Sequence, residues 1–393
     1  MRRLIVIPIW GKSVGGHTVS LLGMAKGFER LGQREQLCIV TQAGSLVAQS
    51  LQQQGLGSCL TIVDATNQRQ FMQRALKWAT RQPYDCPLLL ENCAVRKTLP
   101  AIALHAISIR ASHRPVYYMF RDLTLSYNLL GNLSRNLVFA ALAPRLLCNS
   151  QFTAANIHGR LGEVHAILHP PVDLARFNNR PLVGSVPQLQ PILDSGARIL
   201  LTASRISDSA NNVNDKNLQA LPRVLAALKA AGHHYHGVIV GQDPSPDQSR
   251  SRALLAQAEE LGVADRFTIL PPALDIENYF KCADVVVTLA PREPFGRTVV
   301  EAIACGVPVV GSQTGGIGEI LNNFAPEWTV NPHDPAAAAE TILSIARSAN
   351  TPKLLAQGQR WVETNCSITH YARRMIEITG LDATKLPQTE LVY

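Results

Sequence analysis

Residues 285–316 read VVVTLAPREPFGRTVVEAIACGVPVVGSQTGG, and this stretch decides the fold. Two β-rich runs, 285–289 and 307–310, flank a segment of helical character, so the piece reads as strand, loop, helix, strand. Pro294 suits the first positions of that helix, where its missing N–H costs nothing. Cys305-Gly306 followed by Pro308 ends it, so the helix is short. Glu293 then stands just before the helix and Glu301 two turns inside it, one carboxylate coming from a loop and the other from the helix. Free N–H groups near Gly296, Arg297 and Thr298 point the same way and, with the helix dipole, favour an anion such as a phosphate. Carboxylates that accept hydroxyls, set beside an anion site, suit a phosphorylated sugar.

The same rhythm runs outward through the chain. Short β-rich runs at 4–7, 37–40, 88–90, 116–119, 146–148 and 166–168 alternate with helical stretches in the first half, and runs at 199–201, 238–240 and 267–270 precede the opening stretch in the second. This alternation predicts an α/β protein with parallel sheets covered by helices on both faces. Two Rossmann-like domains in tandem follow, 1–180 and 198–365, facing each other across a deep cleft. Residues 181–197, rich in proline and polar side chains, read as the linker between them. Ligands of such sheets bind at the carboxyl ends of the strands, so the expected site lies between the domains.

With 393 residues and 46% hydrophobic content, the chain is long enough for two cores. No apolar run approaches the length of a membrane span, and the opening Met1-Arg2-Arg3-Leu4-Ile5-Val6-Ile7-Pro8 reads as a first strand rather than a secretory signal. The eight cysteines are scattered without a Cys-x-x-Cys pair, which favours buried, reduced thiols in a cytoplasmic protein over disulfides or a zinc site. The net charge of +8 is unevenly spread: residues 1–180 hold 20 Lys and Arg against 8 Asp and Glu, and the rest holds 17 against 21. A basic first half points to an anionic acceptor or anionic lipid headgroups. Nucleic acid is disfavoured, because aromatics make up only 6% and no basic run is interleaved with them.

Further residues stand at strand ends. Gly15-Gly16 follow the first strand and precede a helical pattern, where glycines admit a close ligand approach, although a glycine pair there also serves plain turn chemistry. Arg205 follows the first strand of the second domain, and Lys216 lies beyond the polar stretch 207–215. Two such cations can neutralise a diphosphate leaving group without a metal, or serve simply as solvated surface charges. Gly315-Gly316 open another helix. Arg121 and Asp122 follow the strand at 116–119, where either could bind sugar or acceptor, or form a salt bridge or helix cap. Two basic amphipathic stretches, 69–81 and 129–147, pack on their own sheet or permit shallow docking on an anionic membrane.

Together these residues resemble the retaining glycosyltransferases of family 4, which have the GT-B fold. The resemblance covers nearly the whole chain and rests on Gly15-Gly16, the run Ile167-Leu168-His169-Pro170-Pro171-Val172-Asp173 with Phe177, Arg205, Lys216, the segment 293–306, and Gly315-Gly316 with Glu319. It implies that Glu293 holds donor-sugar hydroxyls near the reacting carbon and that Glu301 binds the nucleotide ribose. Arg205 and Lys216 would stabilise the departing diphosphate, helped by N–H groups at Gly16 and at Phe295, Gly296, Arg297 and Thr298. Residues 366–393 would cross back to the first domain. The chain departs from the family pattern where Arg121 stands in place of a frequent histidine, where Asn217 replaces a common glycine, and in the spacing of Arg205 and Lys216. Leu289-Ala290 also replace a frequent Pro-Ser pair.

The reading is a metal-independent, retaining hexosyltransferase with no cofactor. It would take a UDP- or GDP-linked sugar and a glycan, lipid-linked or other anionic acceptor, and serve in cell-surface polysaccharide or glycolipid synthesis, in the cytoplasm or peripherally on the membrane's cytoplasmic face. Alternatives are a nucleotide-sugar epimerase or phosphorylase of similar architecture, or a non-catalytic binding domain.

Overall fold

The computed structural model describes residues 2–10, 15–123, 129–157, 161–206 and 215–381. They divide into two units, residues 1–172 with 365–393, and residues 173–364.

Unit 1 alternates β1 (Leu4–Pro8), α1 (Gly16–Arg30), β2 (Leu37–Thr41), α2 (Leu46–Gln53), β3 (Leu60–Ile62), α3 (Gln68–Thr80), β4 (Leu88–Glu91), α4 (Leu99–Ala111), β5 (Val116–Phe120), α5 (Leu129–Leu142), β6 (Arg145–Cys148), α6 (Gln151–Ala155) and β7 (Val164–Ile167). The seven strands are parallel, in the order β3-β2-β1-β4-β5-β6-β7. The central strands β1, β2, β4 and β5 are buried throughout, as expected of strands covered on both faces. Side chains alternate between the faces. Ile5, Ile7, Leu88 and Leu90 meet Phe71 and Leu76 of α3, Ile102 of α4 and Phe139 of α5. Leu4, Val6 and Leu89 instead share a core with Leu21, Met24 and Phe28 of α1.

Unit 2 begins with α7 (Gln190–Asp194) and continues with β8 (Arg198–Ala203), α8 (Ala220–Ala230), β9 (Tyr235–Val240), α9 (Ser249–Glu260), β10 (Phe267–Leu270), α10 (Ile276–Cys282), β11 (Val285–Thr288), α11 (Arg297–Ala304), β12 (Val309–Ser312), α12 (Gly315–Leu321), β13 (Thr329–Val330) and α13 (Pro335–Arg347). Its six strands are parallel in the order β10-β9-β8-β11-β12-β13. Helix α14 (Thr351–Cys366) then leads to α15 (Ile368–Thr379), which packs in unit 1 against α1. That packing depends on Gly27 of α1, while Gly23 of the same helix admits Pro171. A Cβ on Gly27 would lie 2.2 Å from the Ile368 carbonyl oxygen, and one on Gly23 would lie 2.8 Å from Pro171 Cγ. Ser367 caps α15 by accepting from the His370 N–H, and Gly380 ends it at φ +63°.

The structure moves several sequence boundaries. The expected linker at 181–197 lies inside unit 2, because Val186, Leu189 and Ile192, spaced three apart, are buried there and α7 packs on β8. The Asp173 to Phe177 element also belongs to unit 2: Arg176 donates to Glu277 at 2.7 Å, and Phe177 packs against Phe280. Two strands that the sequence reading lacked, β3 and β13, have only three and two residues, too short to show a period. Pro294 is not in the helix: α11 starts at Arg297, so Glu301 is its fifth residue.

In each sheet the chain order reverses at one pair of neighbours, β1 and β4 in unit 1 and β8 and β11 in unit 2. The connections leave these pairs in opposite directions and open a crevice at the carboxyl ends of the strands.

Candidate functional site

In unit 2 the crevice lies beyond the carboxyl ends of β8 and β11, and the segment 289–296 forms one wall. Its shape is set by glycines. Gly296 is the N-cap of α11 at φ +103°, a conformation that strains any residue with a Cβ. Gly315 and Gly316 start α12 hard against the same loop, with the Gly316 N–H donating to the Glu293 carbonyl at 2.8 Å. A Cβ on Gly316 would lie 2.4 Å from the Phe295 carbonyl oxygen, and one on Gly315 would lie 2.9 Å from the Glu293 carbonyl oxygen. These glycines therefore seat the loop that carries Glu293. Phe295 is 3% exposed and anchors the same loop in the core.

The Glu293 carboxylate is paired with the Lys216 ammonium, their side chains 23% and 24% exposed. Lys216 is held by its neighbour. Asn217, at φ +48°, donates through Nδ2 to the carbonyls of Leu289, at 3.1 Å, and Pro332, at 2.6 Å. Asparagine tolerates the left-handed region better than most residues, which accounts for its standing where the family pattern has glycine. Its amide also ties Lys216 to the end of β11, so the cation and Glu293 are positioned together.

Arg205 follows β8 and is exposed, and among the described residues no hydrogen bond or ion pair engages its guanidinium. Most of the adjoining polar stretch, residues 207–214, lies outside the described residues. On α11, Thr298 Oγ1 donates to the Ala203 carbonyl at 3.1 Å, fixing the helix start to the end of β8. Arg297 donates to Glu301 Oε1 at 2.7 Å, with side chains 18% and 13% exposed. Unit 2 thus assembles Lys216, Glu293, Arg205 and the α11 N-terminus around one sheet edge. A groove of about 670 Å³ between α8 and α13, lined by Ala227, Glu340 and Arg347, carries none of these residues.

The corresponding edge of unit 1 is built differently. Gly15 caps α1 with extended backbone, and a Cβ there would meet nothing within 4 Å. Neither backbone conformation nor packing requires glycine at this position, which leaves an exposed, unobstructed backbone at the start of α1. Gly16 is exposed too, and its carbonyl accepts from Ser20 Oγ at 2.8 Å. Arg121 is turned inward: its side chain is 8% exposed and paired with Glu91, whose side chain is fully buried. Nε donates to Glu91 Oε1 at 2.9 Å, Nη1 to Ser20 Oγ at 3.2 Å and Nη2 to Tyr371 Oη at 3.3 Å. Of the roles open to Arg121, the salt bridge is the one its side chain makes. Burial works against its charge, but Glu91 and Tyr371 hold its pKa above the ordinary arginine value. Burial also pushes the Tyr371 hydroxyl up to about 12. Asp122 is exposed and accepts from Asn92 Nδ2 at 2.7 Å.

His17 completes this edge, with Nδ1 3.6 Å from Glu91 Oε2. Burial lowers its pKa, with Glu91 acting in the opposite direction. Among the described residues neither ring nitrogen of His17 has a hydrogen-bond partner, and neither has Glu91 Oε2. The sequence reading missed both residues. A signal existed for Glu91: it ends β4, level with Pro8 of β1, at the sheet's reversal point. His169 Nδ1 lies 3.1 Å from the Asn149 carbonyl oxygen, a structural contact.

All eight cysteines are free, and all except Cys282 are buried. Burial raises the thiol pKa of Cys148 and Cys305 to about 12. Among the described residues, no group of three or more His, Cys, Asp or Glu is placed to hold a metal ion, and no helix is long and apolar enough to cross a membrane.

Comparison with known proteins agrees with this architecture. Residues 198–360 match the model of the family described as glycosyl transferases group 1. A D-inositol 3-phosphate glycosyltransferase of Mycolicibacterium gilvum is 32% identical over 206 residues, covering 51% of this chain and 44% of the relative. One of Salinispora arenicola is 28% identical over 255 residues, covering 61% of this chain and 55% of that relative. The chain thus spans about half the length of the curated relatives it matches. Among solved structures, the Anabaena protein Alr3699/HepE in complex with UDP and glucose superposes with a TM-score of 0.76 at 18% identity, covering 97% of this chain and 100% of that one. At that identity the likeness shows the fold. Residues 198–360 thus match the glycosyl transferases group 1 family, and the two parallel Rossmann-like sheets have the GT-B fold.

Proposed function

We propose that the protein is a retaining glycosyltransferase that moves a hexose from a UDP- or GDP-linked donor to an acceptor hydroxyl. The observation that carries this reading is the Lys216–Glu293 pair, held beside the open N-terminus of α11 with Arg205 exposed at the neighbouring strand end. As the glycosidic bond loosens, positive charge grows on the sugar ring and negative charge on the diphosphate. Lys216, Arg205 and the N–H groups at the start of α11 stabilise the second, and Glu293 holds the sugar hydroxyls beside the first. Glu301, steadied by Arg297, takes the ribose hydroxyls. The departing phosphate accepts the proton of the incoming hydroxyl.

Two cations and a helix terminus neutralise a diphosphate without a metal, so the reaction needs no cofactor. Activity unchanged by excess EDTA is the expected outcome, and loss of activity restored by magnesium would overturn this part. A uridine donor is supported by the complex of the Anabaena protein, which holds UDP and glucose. On this reading the acceptor binds unit 1: the basic first half favours an anionic or lipid-linked molecule, and Gly15, Gly16 and Asp122 are exposed. The relatives' name, which contains a phosphorylated inositol, fits an anionic acceptor. Cell-surface glycan or glycolipid assembly in the cytoplasm, with peripheral attachment to the membrane, is the setting this chemistry suits. A panel of UDP- and GDP-sugars scored by nucleotide release tests the reading. Release with one donor, stimulated by acceptor, supports it, and no release with any donor and acceptor pair contradicts it.

A further inference from the structure

Helices α3, α4 and α5 cover one face of the unit 1 sheet with their inner sides. The apolar side chains of α3, Phe71, Met72, Ala75 and Leu76, are spent in that core, so α3 has no apolar face left for docking. The next two helices differ, because they are apolar outside as well as inside. Leu104 and Ile107 on α4 are 66% and 75% exposed, and Leu130, Leu133 and Leu137 on α5 are 75%, 56% and 62% exposed. Spacings of three and four residues put each set on one stripe of its helix. Arg110, near the C-terminal end of α4, donates to the Ala140 carbonyl near the same end of α5, so the two helices lie side by side in one direction and the stripes run level. A contiguous apolar patch on the order of a few hundred Å² marks an interaction surface.

Charge identifies the partner. Residues 66–145 hold eleven Lys and Arg against three Asp and Glu, and with the buried Arg114, Arg121 and Glu91 set aside, nine cations stand against two acids. Lys77 on α3, Arg96 and Lys97 just before α4, and Arg110 at its end are all exposed. We infer that the α4–α5 face docks on an anionic lipid bilayer, its aliphatic side chains entering the boundary between headgroups and acyl chains while the surrounding cations meet lipid phosphates. A second copy docked through the same face would set these cations against their own kind. The N-termini of α4 and α5 follow the carboxyl ends of β4 and β5, the edge that also carries Gly15 and Asp122. A docked membrane therefore lies beside the edge at which unit 1 would receive a lipid-linked acceptor. That last consequence rests on the function proposed above, whereas the docking itself does not.

The test is co-sedimentation with vesicles of phosphatidylglycerol mixed with phosphatidylcholine, compared with phosphatidylcholine alone. The wild-type protein should pellet with the anionic vesicles. The double variants Leu133→Glu with Leu137→Glu, and Arg96→Glu with Lys97→Glu, should lose about tenfold or more of that binding. Val183→Glu, at a valine 96% exposed in unit 2, should lose none. Unchanged circular dichroism and melting temperature show that each variant is folded, and a variant that fails this check is replaced by Ile107→Glu. No preference for anionic vesicles, or full binding by the folded leucine variant, overturns the inference. So does a wild-type dimer in sedimentation equilibrium that the leucine variant converts to a monomer. Nucleotide release from a soluble donor, measured on the same samples, separates docking from catalysis: docking lost with release intact sinks this inference and the membrane setting but leaves sugar transfer standing, and release absent with docking intact sinks only the transfer reaction.

Discussion

The two sheets reverse their chain order in the same way, yet they place opposite kinds of charge pair at the reversal. In unit 1, Arg121 and Glu91 are paired almost out of reach of water and bound further by Ser20 and Tyr371. In unit 2, Lys216 and Glu293 keep about a quarter of their side chains exposed, with Arg205 open to solvent nearby. The topology supplies a crevice, and the degree of desolvation decides what the charges in it are for. A buried pair is committed to holding strands and helices together, because removing either partner leaves a charge without compensation. A partly exposed pair can exchange its partner for a ligand's hydroxyls or phosphates at small cost.

The largest expected effect follows from the buried pair. Glu91→Gln should destabilise unit 1 by about 3–5 kcal/mol in urea unfolding, since it strands the Arg121 charge in the interior. A loss below about 1 kcal/mol, the range of surface pairs, would remove the distinction between the two edges. Next comes Lys216→Ala, which should lower kcat by about 10²- to 10³-fold while leaving the melting temperature nearly unchanged. A large fall in stability with kcat preserved would mean that this pair, too, is structural. Gly27→Ala is a smaller perturbation of unit 1, expected to cost about 1–3 kcal/mol by pushing α15 away from α1 and so loosening Tyr371 from Arg121.

The smallest effect is on pH dependence. Burial lowers the pKa of His17, His105, His236 and His370, so the unfolded chain takes up these protons at a higher pH than the folded one does. Their contribution to stability is therefore complete above the ordinary histidine value of about 6.5 and is lost as the pH falls below it. The melting temperature should decline on acidification through that range, and His17→Gln should remove part of the decline. A wild-type melting temperature that rises as the pH falls would contradict the sign.

Most of this contrast was hidden from the sequence, and for physical reasons. The alternation of strands and helices was legible because fully buried parallel strands need continuous apolar runs, and 285–289 and 307–310 supply them. Glu293 stood out as a candidate because a loop between two such strands has few other reasons to carry a carboxylate. Burial was not legible. Arg121 stands at the end of a strand as Arg205 does, and only packing by Ser20, Glu91 and Tyr371, from three separate parts of the chain, turns it inward. The helix start was misplaced because Pro294 is favourable at a first turn, whereas the left-handed Gly296 that sets the true start leaves no periodic trace. The same limit hid the part of α4 in the docking surface: a helix apolar all round reads as buried until its neighbours are known.

On the function proposed above, the open charge pair of unit 2 binds a diphosphate sugar. Calorimetric titration of UDP and GDP into the wild-type protein, Lys216→Ala and Glu91→Gln tests it most directly. The account predicts that one nucleotide binds the wild-type protein, binds Lys216→Ala at least about tenfold more weakly, and binds folded Glu91→Gln with its affinity unchanged. Equal affinity in the wild-type protein and Lys216→Ala, or no binding of either nucleotide, would contradict it.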